Sequence, residues 1–543
     1  MKTTLPFSVL QFAVYVLSQM MFATFVNAQA YPFIPYPDSS FNNSGSITLE
    51  DFIHFIPQEQ AIQPDGKILV AGYGKSALNQ DFDGILYRIN SDGKVDLSFG
   101  TDGYLQIDID GTEDAIESIG VLPDNKILIL LESNHRIIFI RTLSDGTYDP
   151  DFGNEGVLLA DTDPTEFGYD MQIQSDQKIL MVGYQQVQAN LNKGVVRRFN
   201  ADGSPDTSFG TNGYVSVVID PAINLELYDC TIQPDGKLIA TGPYGSGNNS
   251  GFPIIRLNTD GSFDNTFSSD GKYLKILGTS VRDAVAYCIA VQSDGKIFVG
   301  GNAPTALESA MAVVSVNKNG GANGTFGNFG TKKIVITGFA SANDIVIQPD
   351  GKLLLGGYCF LSQTTTGFVS ARLETSGAVD TTYGLSSPQG VFVSFLSGEA
   401  FDVQILTNLD LQPDGRLVGM GWLNKTVNLN LDQPAKCVIF RSLMDILVET
   451  TEPNPVVHDV NIFPNPVTGE LVTLEYELDK PQTISASLYD LNGTAVAKFC
   501  SNEYRMTGKN REQFYVSPDL PAGTYFVVLF GEDGIRTIKI SKN

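Results

Sequence analysis

The fold of this chain is decided by one repeated stretch, Ile62-Gln63-Pro64-Asp65-Gly66-Lys67-Ile68-Leu69-Val70-Ala71-Gly72-Tyr73. Seven copies are present, and consecutive copies of the position of Gly66 are 52 to 64 residues apart. The residues at this position are Gly66, Asn125, Gln177, Gly236, Gly295, Gly351 and Gly415. A period of this length is typical of a protein built from one recurring supersecondary unit.

The chemistry of the stretch predicts a tight hairpin. Pro64 presets φ for the first corner of a turn, Asp65 suits the second, and Gly66 takes the left-handed position. Asn125 tolerates that conformation, whereas Gln177 fits less well and suggests a different turn in the third copy. The short apolar run after each turn predicts a buried strand.

A second motif alternates with the first. Arg88-Ile89-Asn90-Ser91-Asp92-Gly93 leads to Asp96-Leu97-Ser98-Phe99-Gly100, and Arg198 to Gly210 repeats this pattern. We expect the Asp-Gly pair to turn the chain and the aromatic residue to fill the gap between neighbouring sheets.

Each repeat predicts four short antiparallel strands. In the second unit we expect them at Tyr104–Ile109, Ala115–Leu122, Lys126–Glu132 and Arg136–Leu143. Four-stranded units at this period are typical of β-propeller blades, so the sequence predicts an all-β fold with seven blades.

The two ends of the repeat region predict that the ring closes. The seventh unit ends near Leu443 without an Asp-x-x-Phe segment. That segment stands instead near the N-terminus, as Asp38-Ser39-Ser40-Phe41. An N-terminal strand that completes the last blade explains this offset and removes exposed sheet edges.

Through these motifs the chain resembles the delta-60 repeat family over roughly residues 31–447. The resemblance implies a propeller-like domain on bacterial surface or secreted proteins, and it implies no established activity.

The C-terminal 88 residues follow another pattern, with about seven short strands expected in a small β-sandwich. The segment resembles the type A C-terminal sorting domain of type IX secretion in Bacteroidetes. Its motif residues are Pro464, Asn465, Pro466, Gly493, Gly523 and Tyr525. The resemblance implies contact with the type IX secretion machinery, export through the outer membrane, and then release or attachment to lipopolysaccharide.

The N-terminus reads as a signal peptide, with Lys2, an apolar run and small residues before a cut between Ala28 and Gln29. We therefore expect a signal peptide at 1–28, a propeller at 29–448, a linker at 449–455 and a sorting domain at 456–543. No later segment is apolar for long enough to span a bilayer, so we expect no membrane span in the mature chain.

Composition excludes some functions. The formal net charge of −26 disfavours binding to nucleic acid. The five cysteines are sparse and predict buried apolar side chains. The chain has three histidines and no serine nucleophile motif, so the sequence disfavours a Ser-His-Asp triad. Paired carboxylates stay open as a hydrolytic alternative, for example among Asp83, Glu132 and Asp344.

The sequence predicts no cofactor, with calcium as the alternative. The candidate ligands are Asn90, Asp92, Asp96, Asn200, Asp202 and Asp206. Oxygen ligands at alternate positions followed by Gly resemble part of a calcium loop. A hairpin turn with an aspartate that caps the next turn explains the same residues.

Regular repeats without a catalytic constellation favour a non-catalytic surface or secreted binding module, with glycan or protein ligands at the channel or its loops. A carbohydrate-active or other hydrolytic propeller is the alternative, and a structural spacer of the cell surface is a third.

Overall fold

The computed structural model describes two parts of the chain, residues 38–442 and 457–542. The first part is described without residues 39, 77–80, 162, 337, 363–364, 382, 384–389, 395–402, 413–414 and 425–434. The second part is described without residues 465–466, 468–470, 490–494, 518–519, 521–522 and 532–533. Among these residues, regular structure consists of β-strands and one 3-10 turn at Gly247–Asn249, so the fold is all-β as predicted.

The first part forms seven four-stranded antiparallel sheets, which are the blades of a β-propeller. The first strand of the described chain is β1 (Ser46–Leu49). Blade 1 contains β2 (His54–Ile62), β3 (Ile68–Lys75), β4 (Asp83–Ile89) and β5 (Tyr104–Ile107). Blade 2 contains β6 (Asp114–Val121), β7 (Ile127–Ser133), β8 (Arg136–Thr142) and β9 (Val157–Asp161). Blade 3 contains β10 (Glu166–Ile173), β11 (Ile179–Gln188), β12 (Leu191–Phe199) and β13 (Tyr214–Val217). Blade 4 contains β14 (Asp229–Ile232), β15 (Leu238–Thr241), β16 (Gly251–Leu257) and β17 (Lys272–Ile276). Blade 5 contains β18 (Val285–Val291), β19 (Ile297–Pro304), β20 (Ser309–Val316) and β21 (Thr331–Ile334). Blade 6 contains β22 (Ala340–Ile347), β23 (Leu353–Phe360), β24 (Thr366–Leu373) and β25 (Val391–Ser394), and blade 7 contains β26 (Val403–Leu411), β27 (Leu417–Asn424) and β28 (Ala435–Ser442).

The N-terminal strand completes blade 7, as the sequence predicts. The order of strands in this sheet is β1-β28-β27-β26, and β1 pairs antiparallel with β28 with Ser46 opposite Phe440. Phe41 is fully buried in one core with Val418 of blade 7 and Tyr87 of blade 1. The ring is therefore closed by two segments from opposite ends of the repeat region.

One prediction about the blades is wrong. The expected second unit began with Tyr104–Ile109, but the structure places Tyr104–Ile107 as the outer strand of blade 1, where Tyr104 pairs with Tyr87. Blade 2 instead begins at Asp114. The strands were placed correctly but grouped with an offset of one, because the long connection that carries the second motif joins the third strand of a blade to the outer strand of the same blade.

The turn of the third copy also differs from expectation. Gln177 adopts φ of 65° and its N–H donates to the carbonyl of Gln174 at 2.8 Å. Gly66 makes the same turn, with φ of 83° and a bond of 2.9 Å to Gln63. Gln177 therefore accepts a left-handed backbone that favours glycine, because the two strands on either side fix the turn.

The second motif builds a recurring ion pair at the blade boundary. Asp96 Oδ2 lies 2.8 Å from both Arg88 Nε and Lys67 Nζ, and the Arg88 guanidinium lies 4.5 Å from the Phe99 ring centre. Phe99 is fully buried in the core shared by blades 1 and 2, which confirms its predicted role. We call this group of Lys, Arg, Asp and aromatic side chain the motif cluster.

The motif cluster recurs with the same partners around most of the ring. The ion pairs and ring contacts join Lys126, Arg141, Asp149 and Phe152; Lys178, Arg198, Asp206 and Phe209; Lys237, Arg256, Asp264 and Phe267; and Lys352, Arg372, Asp380 and Tyr383. In blade 7 the members are Arg416, Arg441, Asp38 and Phe41. Blade 5 departs from the pattern, because Asn323 donates to Ser315 at 3.1 Å where the other blades have Asp and Arg.

The second part of the chain is a β-sandwich, as predicted. The strands are β29 (Val457–Phe463), β30 (Leu471–Leu478), β31 (Gln482–Tyr489), β32 (Ala495–Arg505), β33 (Gly508–Tyr515), β34 (Gly523–Gly531) and β35 (Gly534–Lys542). One sheet has the order β29-β30-β33 and the other β32-β31-β34-β35. Side chains of both sheets, such as Leu474 and Val527, share one buried core.

Candidate functional site

The inner strands of the seven blades surround a central channel. These strands are β2, β6, β10, β14, β18, β22 and β26, and each contacts the inner strand of the next blade, with β26 returning to β2. In six of them the register with the second strand shifts by one residue at the same place, for example between Pro57 and Glu59. In blade 4, β14 begins at Asp229, directly after the equivalent position. A bulge of this kind turns an extra side chain out of the ladder.

The bulge residues line the channel cavity, which has a volume of about 870 Å³. They are Gln58, Glu117, Tyr169, Tyr228, Tyr287, Asn343 and Thr407. Each lies eight residues before the turn residue of its repeat, yet no residue type is common to all of them. The repeat therefore fixes a position in the channel and leaves its chemistry free to vary.

The residues after the bulges tie neighbouring blades together. The carboxylate of Asp229 in blade 4 accepts the N–H of Ile289 in blade 5 at 2.6 Å. Asp344 in blade 6 accepts the N–H of Leu409 in blade 7 at 2.6 Å in the same way. Carboxylates in these places satisfy the backbone donors that the bulges free from the ladder.

Asp170 extends this set of contacts across three blades. It accepts from Ser118 Oγ in blade 2 at 3.0 Å and from the N–H of Cys230 in blade 4 at 3.0 Å. Asn408 of blade 7 donates to Glu59 of blade 1 at 3.3 Å, which carries the contacts across the point of closure. The channel wall is therefore held by its own polar side chains.

Burial in the channel raises the pKa of several carboxyl groups. Loss of solvation, followed by repulsion from Asp170 and Asp344, holds the pKa of Glu59 well above its usual range. Burial raises the pKa of Asp344 to about 7 and that of Asp410 to about 6. Protonated and ionised carboxyl groups thus coexist in the channel near neutral pH.

The calcium candidates lie in the connections between the third and fourth strands of blades 1 and 3. Asp96 Oδ2 is paired with Arg88 and Lys67, and its Oδ1 accepts from the N–H of Ser98 at 3.1 Å. Although burial opposes the shift, hydrogen bonds from Lys67 and Ser98 lower the pKa of Asp96. Asp206 has the matching contacts to Arg198, Lys178 and Ser208. Asp92 and Asp202 are exposed and cap their own turns, beside Asn90 and Asn200 respectively. These contacts account for the carboxylates as ion pairs and turn caps, and calcium binding stays a prediction.

The structure assembles a carboxylate cluster that the sequence did not predict. Carboxylate oxygens of Asp83, Asp108 and Asp114 lie within 4.8 Å of one another at the boundary of blades 1 and 2. Burial, with Asp108 and Asp83 adding repulsion, raises the pKa of Asp114 to about 7. Asp83 and Asp114 have no solvent exposure, so only Asp108 is open to a solute. Glu132, another buried carboxyl group, lies 3.7 Å from exposed His135.

The remaining sequence predictions concern single residues. Trp422 is buried in a core with Tyr73 and Ile405, as expected, and it also lines the channel. All five cysteines are buried, as predicted, although Cys230 Sγ also donates to Asp170 at 3.2 Å. Among the described residues, no helix is long and apolar enough to cross a membrane.

The sorting motif is described in part. Pro464 follows β29, Gly523 begins β34, and Tyr525 is buried in the core of the sandwich. Asn465, Pro466 and Gly493 lie outside the described residues, as do the predicted cleavage site at Ala28 and Gln29 and the linker 449–455.

Comparisons with known proteins bear on both parts. A model described as a domain of unknown function (DUF5122) beta-propeller matches residues 63–99, 174–209, 233–267 and 348–383. A model described as a secretion system C-terminal sorting domain matches residues 461–543. A search of curated proteins finds no significant match.

Two of the solved structures that match this chain each share 13% sequence identity with it. One is PorZ, a bacterial surface component of the type IX secretion system of Porphyromonas gingivalis, at 13% identity and a TM-score of 0.38. The match covers 91% of this chain and 59% of PorZ, so the chain spans less than two thirds of that protein. A fungal alcohol oxidase of the AA5 family in complex with copper has 13% identity and a TM-score of 0.37, with 92% of this chain and 98% of that chain covered.

The sorting domain indicates export through the outer membrane to the cell surface or the medium. The matches to the first model fall within four of the seven blades, and the match to the second covers the sandwich. The chain therefore carries DUF5122 β-propeller repeats followed by a secretion system C-terminal sorting domain.

Proposed function

We propose that the protein is a non-catalytic binding module of the cell surface or the secreted fraction, which holds its ligand in the central channel. The observation that supports this most is the channel itself, a cavity of about 870 Å³ lined by a residue from every blade. This volume lies in the range of ligand sites in proteins.

The carboxylates of the channel support binding over catalysis. Asp170, Asp229 and Asp344 each accept backbone N–H groups, so their oxygens are engaged in holding the blades together. A general acid or base needs an oxygen within reach of the substrate proton. The bulge residues add amide, hydroxyl, carboxyl and aromatic groups to the channel wall, which is the variety that a binding site needs.

The test replaces one bulge residue and measures ligand capture. Gln58 lines the channel, and Gln58→Phe narrows it; Gln188→Phe is the matched control, because Gln188 is exposed at the end of β11. The full-length secreted protein and both variants are screened on glycan and peptide arrays. We expect a ligand whose capture is reduced at least tenfold by Gln58→Phe and is unchanged by Gln188→Phe. Equal capture by both variants would place the ligand elsewhere and contradict the proposal.

A hydrolytic propeller is the second candidate, and the cluster of Asp83, Asp108 and Asp114 is the observation that favours it. Two carboxyl groups with different pKa values are the requirement of acid–base hydrolysis. Turnover of the captured polysaccharides or peptides distinguishes the hydrolytic propeller from the binding module. Turnover that is lost in Asp108→Asn and Asp114→Asn would replace the binding proposal.

A further inference from the structure

The channel collects acidic groups and excludes basic ones. Eight of its lining residues carry carboxyl groups, and none of the described lining residues is Lys, Arg or His. The eight are Glu59, Glu117, Asp170, Glu226, Asp229, Asp283, Asp344 and Asp410. Low-dielectric walls lined by one sign of charge concentrate ions of the other sign. Burial raises the pKa of several of these groups, and a cation beside them favours their ionised form, so the acidic lining favours a cationic occupant.

Amide groups add acceptors that lack a donor. Gln60, which is 94% buried, donates from Nε2 to the carbonyl of Val418 at 3.4 Å, while its Oε1 has no hydrogen-bond partner. Asn343 and Asn408 repeat this arrangement, because their Nδ2 atoms donate to Leu406 and Glu59 and their Oδ1 atoms have no partner. A buried oxygen without a donor is costly, and these amides would meet an occupant with N–H groups only after a change of rotamer, because the oxygens lie inside the wall.

Three aromatic rings complete the site on one side. The bulge residues of blades 3, 4 and 5 are Tyr169, Tyr228 and Tyr287, which form an arc along the channel wall. The ring centres of Tyr169 and Tyr228 are 4.5 Å apart, and those of Tyr228 and Tyr287 are 6.4 Å apart. Ring faces attract an ammonium or guanidinium group through the quadrupole of the π system. Blade 2, next to blade 3 in the ring, contributes Glu117, and blade 1 contributes Glu59.

Building on the proposed binding function, we infer that the channel takes the Lys or Arg side chains of a basic polypeptide segment, with the cation between the tyrosine arc and the acidic residues of blades 1 and 2. A bare metal ion uses neither the ring faces nor a cavity of about 870 Å³. Asp170, Asp229 and Asp344 are moreover committed to backbone donors. A long donor-rich side chain uses the rings and the carboxylates of Glu59 and Glu117 together.

The chain carries its own reporter for this inference. Trp422 is its one tryptophan and lines the channel, so the intrinsic fluorescence of the full-length protein reports on occupancy. The protein is titrated with hexalysine and hexaarginine, and separately with hexaglutamine, spermidine and calcium chloride. Calorimetry on the same samples gives the dissociation constants. We expect saturable binding of the two basic peptides, weakening as salt is added, and no binding of hexaglutamine.

Variants locate the bound cation. Tyr228→Leu and Glu117→Gln are expected to weaken hexalysine binding roughly tenfold each, since a desolvated cation–π contact or ion pair contributes about 1–2 kcal/mol. Tyr228→Phe keeps the ring face and is expected to bind as the unaltered protein does. Tyr148→Leu and Glu155→Gln are matched controls on the exposed surface and are expected to change nothing.

The outcomes separate this inference from the proposed function. Channel binding of a neutral glycan or of hexaglutamine, with no binding of basic peptides, overturns the cationic ligand and leaves the binding function in place. Binding of spermidine without binding of the peptides would show that the cation does not come from a polypeptide. A response to calcium alone would show that the ligand is a metal ion and not an organic cation. Absence of any ligand that is sensitive to Gln58→Phe overturns the proposed function as well.

Discussion

Asp38 and Arg441 form an ion pair of 2.7 Å between Asp38 Oδ2 and Arg441 Nε, although they are 403 positions apart in the chain. Both side chains are buried, and the Arg441 guanidinium lies 4.9 Å from the ring centre of Phe41. This contact joins the start of the described chain to the end of blade 7. The closed ring, and with it the channel, depends on such contacts.

We expect Asp38→Asn to lower the free energy of unfolding of the propeller by roughly 3 kcal/mol. The change leaves the buried Arg441 without its counter-charge, and breaking one side of a buried pair is strongly destabilising. The measurement is urea denaturation followed by Trp422 fluorescence, because Trp422 lies in the same blade. Asp92→Asn is the matched control, since Asp92 is exposed, and it should change the value by less than about 0.5 kcal/mol. Equal values for the two variants would show that closure does not depend on this pair.

Gln177→Gly should raise the free energy of unfolding by about 0.5–1 kcal/mol, because it relieves the left-handed backbone that Gln177 adopts with φ of 65°. Gly236→Ala makes the opposite change at the same turn of blade 4, where φ is 81°, and should lower stability by about 1 kcal/mol. Thermal denaturation of both variants tests the pair. A loss of stability in Gln177→Gly would mean that its side chain stabilises the turn in another way.

Blade 5 allows the motif cluster to be tested by restoration. Ser315→Arg alone should destabilise the fold because it buries a charge without a carboxylate partner, and Asn323→Asp alone should destabilise it less, because Lys296 stands where the other blades have the Lys of the motif cluster. Together they should regain about 1–3 kcal/mol as coupling energy, since Arg and Asp pair at these positions in the other blades. A double-mutant cycle in urea gives this value. Additive effects of the two changes would indicate that blade 5 cannot hold the cluster.

The stability of the protein should depend on pH through Asp114. Folding raises the pKa of this carboxyl group to about 7, so the folded state holds a proton that the unfolded chain releases from about pH 4 upward. The free energy of unfolding therefore falls as pH rises from about 4 to 7. Asp114→Asn should flatten the slope in this window, while the exposed Asp124→Asn should leave it unchanged. An unaltered slope in Asp114→Asn would contradict the assignment.

Much of the fold could be predicted because its signals are local. The Pro-Asp-Gly turns mark one hairpin in each unit, and the displaced Asp38 and Phe41 reveal the closing strand. The grouping of Tyr104 with blade 2 was wrong, because sequence order does not show on which side of a long connection a sheet ends. The turn at Gln177 was misjudged since tertiary contacts override a local preference.

The channel could not be predicted from residue types, because Tyr228 and Glu117 occupy equivalent positions with different chemistry. The signal that could have found them is positional. The residue eight positions before each turn differs from copy to copy, although the rest of the repeat is regular. Functional residues are expected at positions that depart from a regular pattern. The calcium candidates, by contrast, lie in the most regular part of the repeat, where the structure shows ion pairs.

The most direct test of the account is a crystal structure of the full-length protein with hexalysine. The account predicts a lysine ammonium in the channel, within about 6 Å of the Tyr228 ring centre and in hydrogen-bond contact with an acidic residue of blade 1 or 2. Peptide density on the outer surface of the blades, with an empty channel, would contradict it.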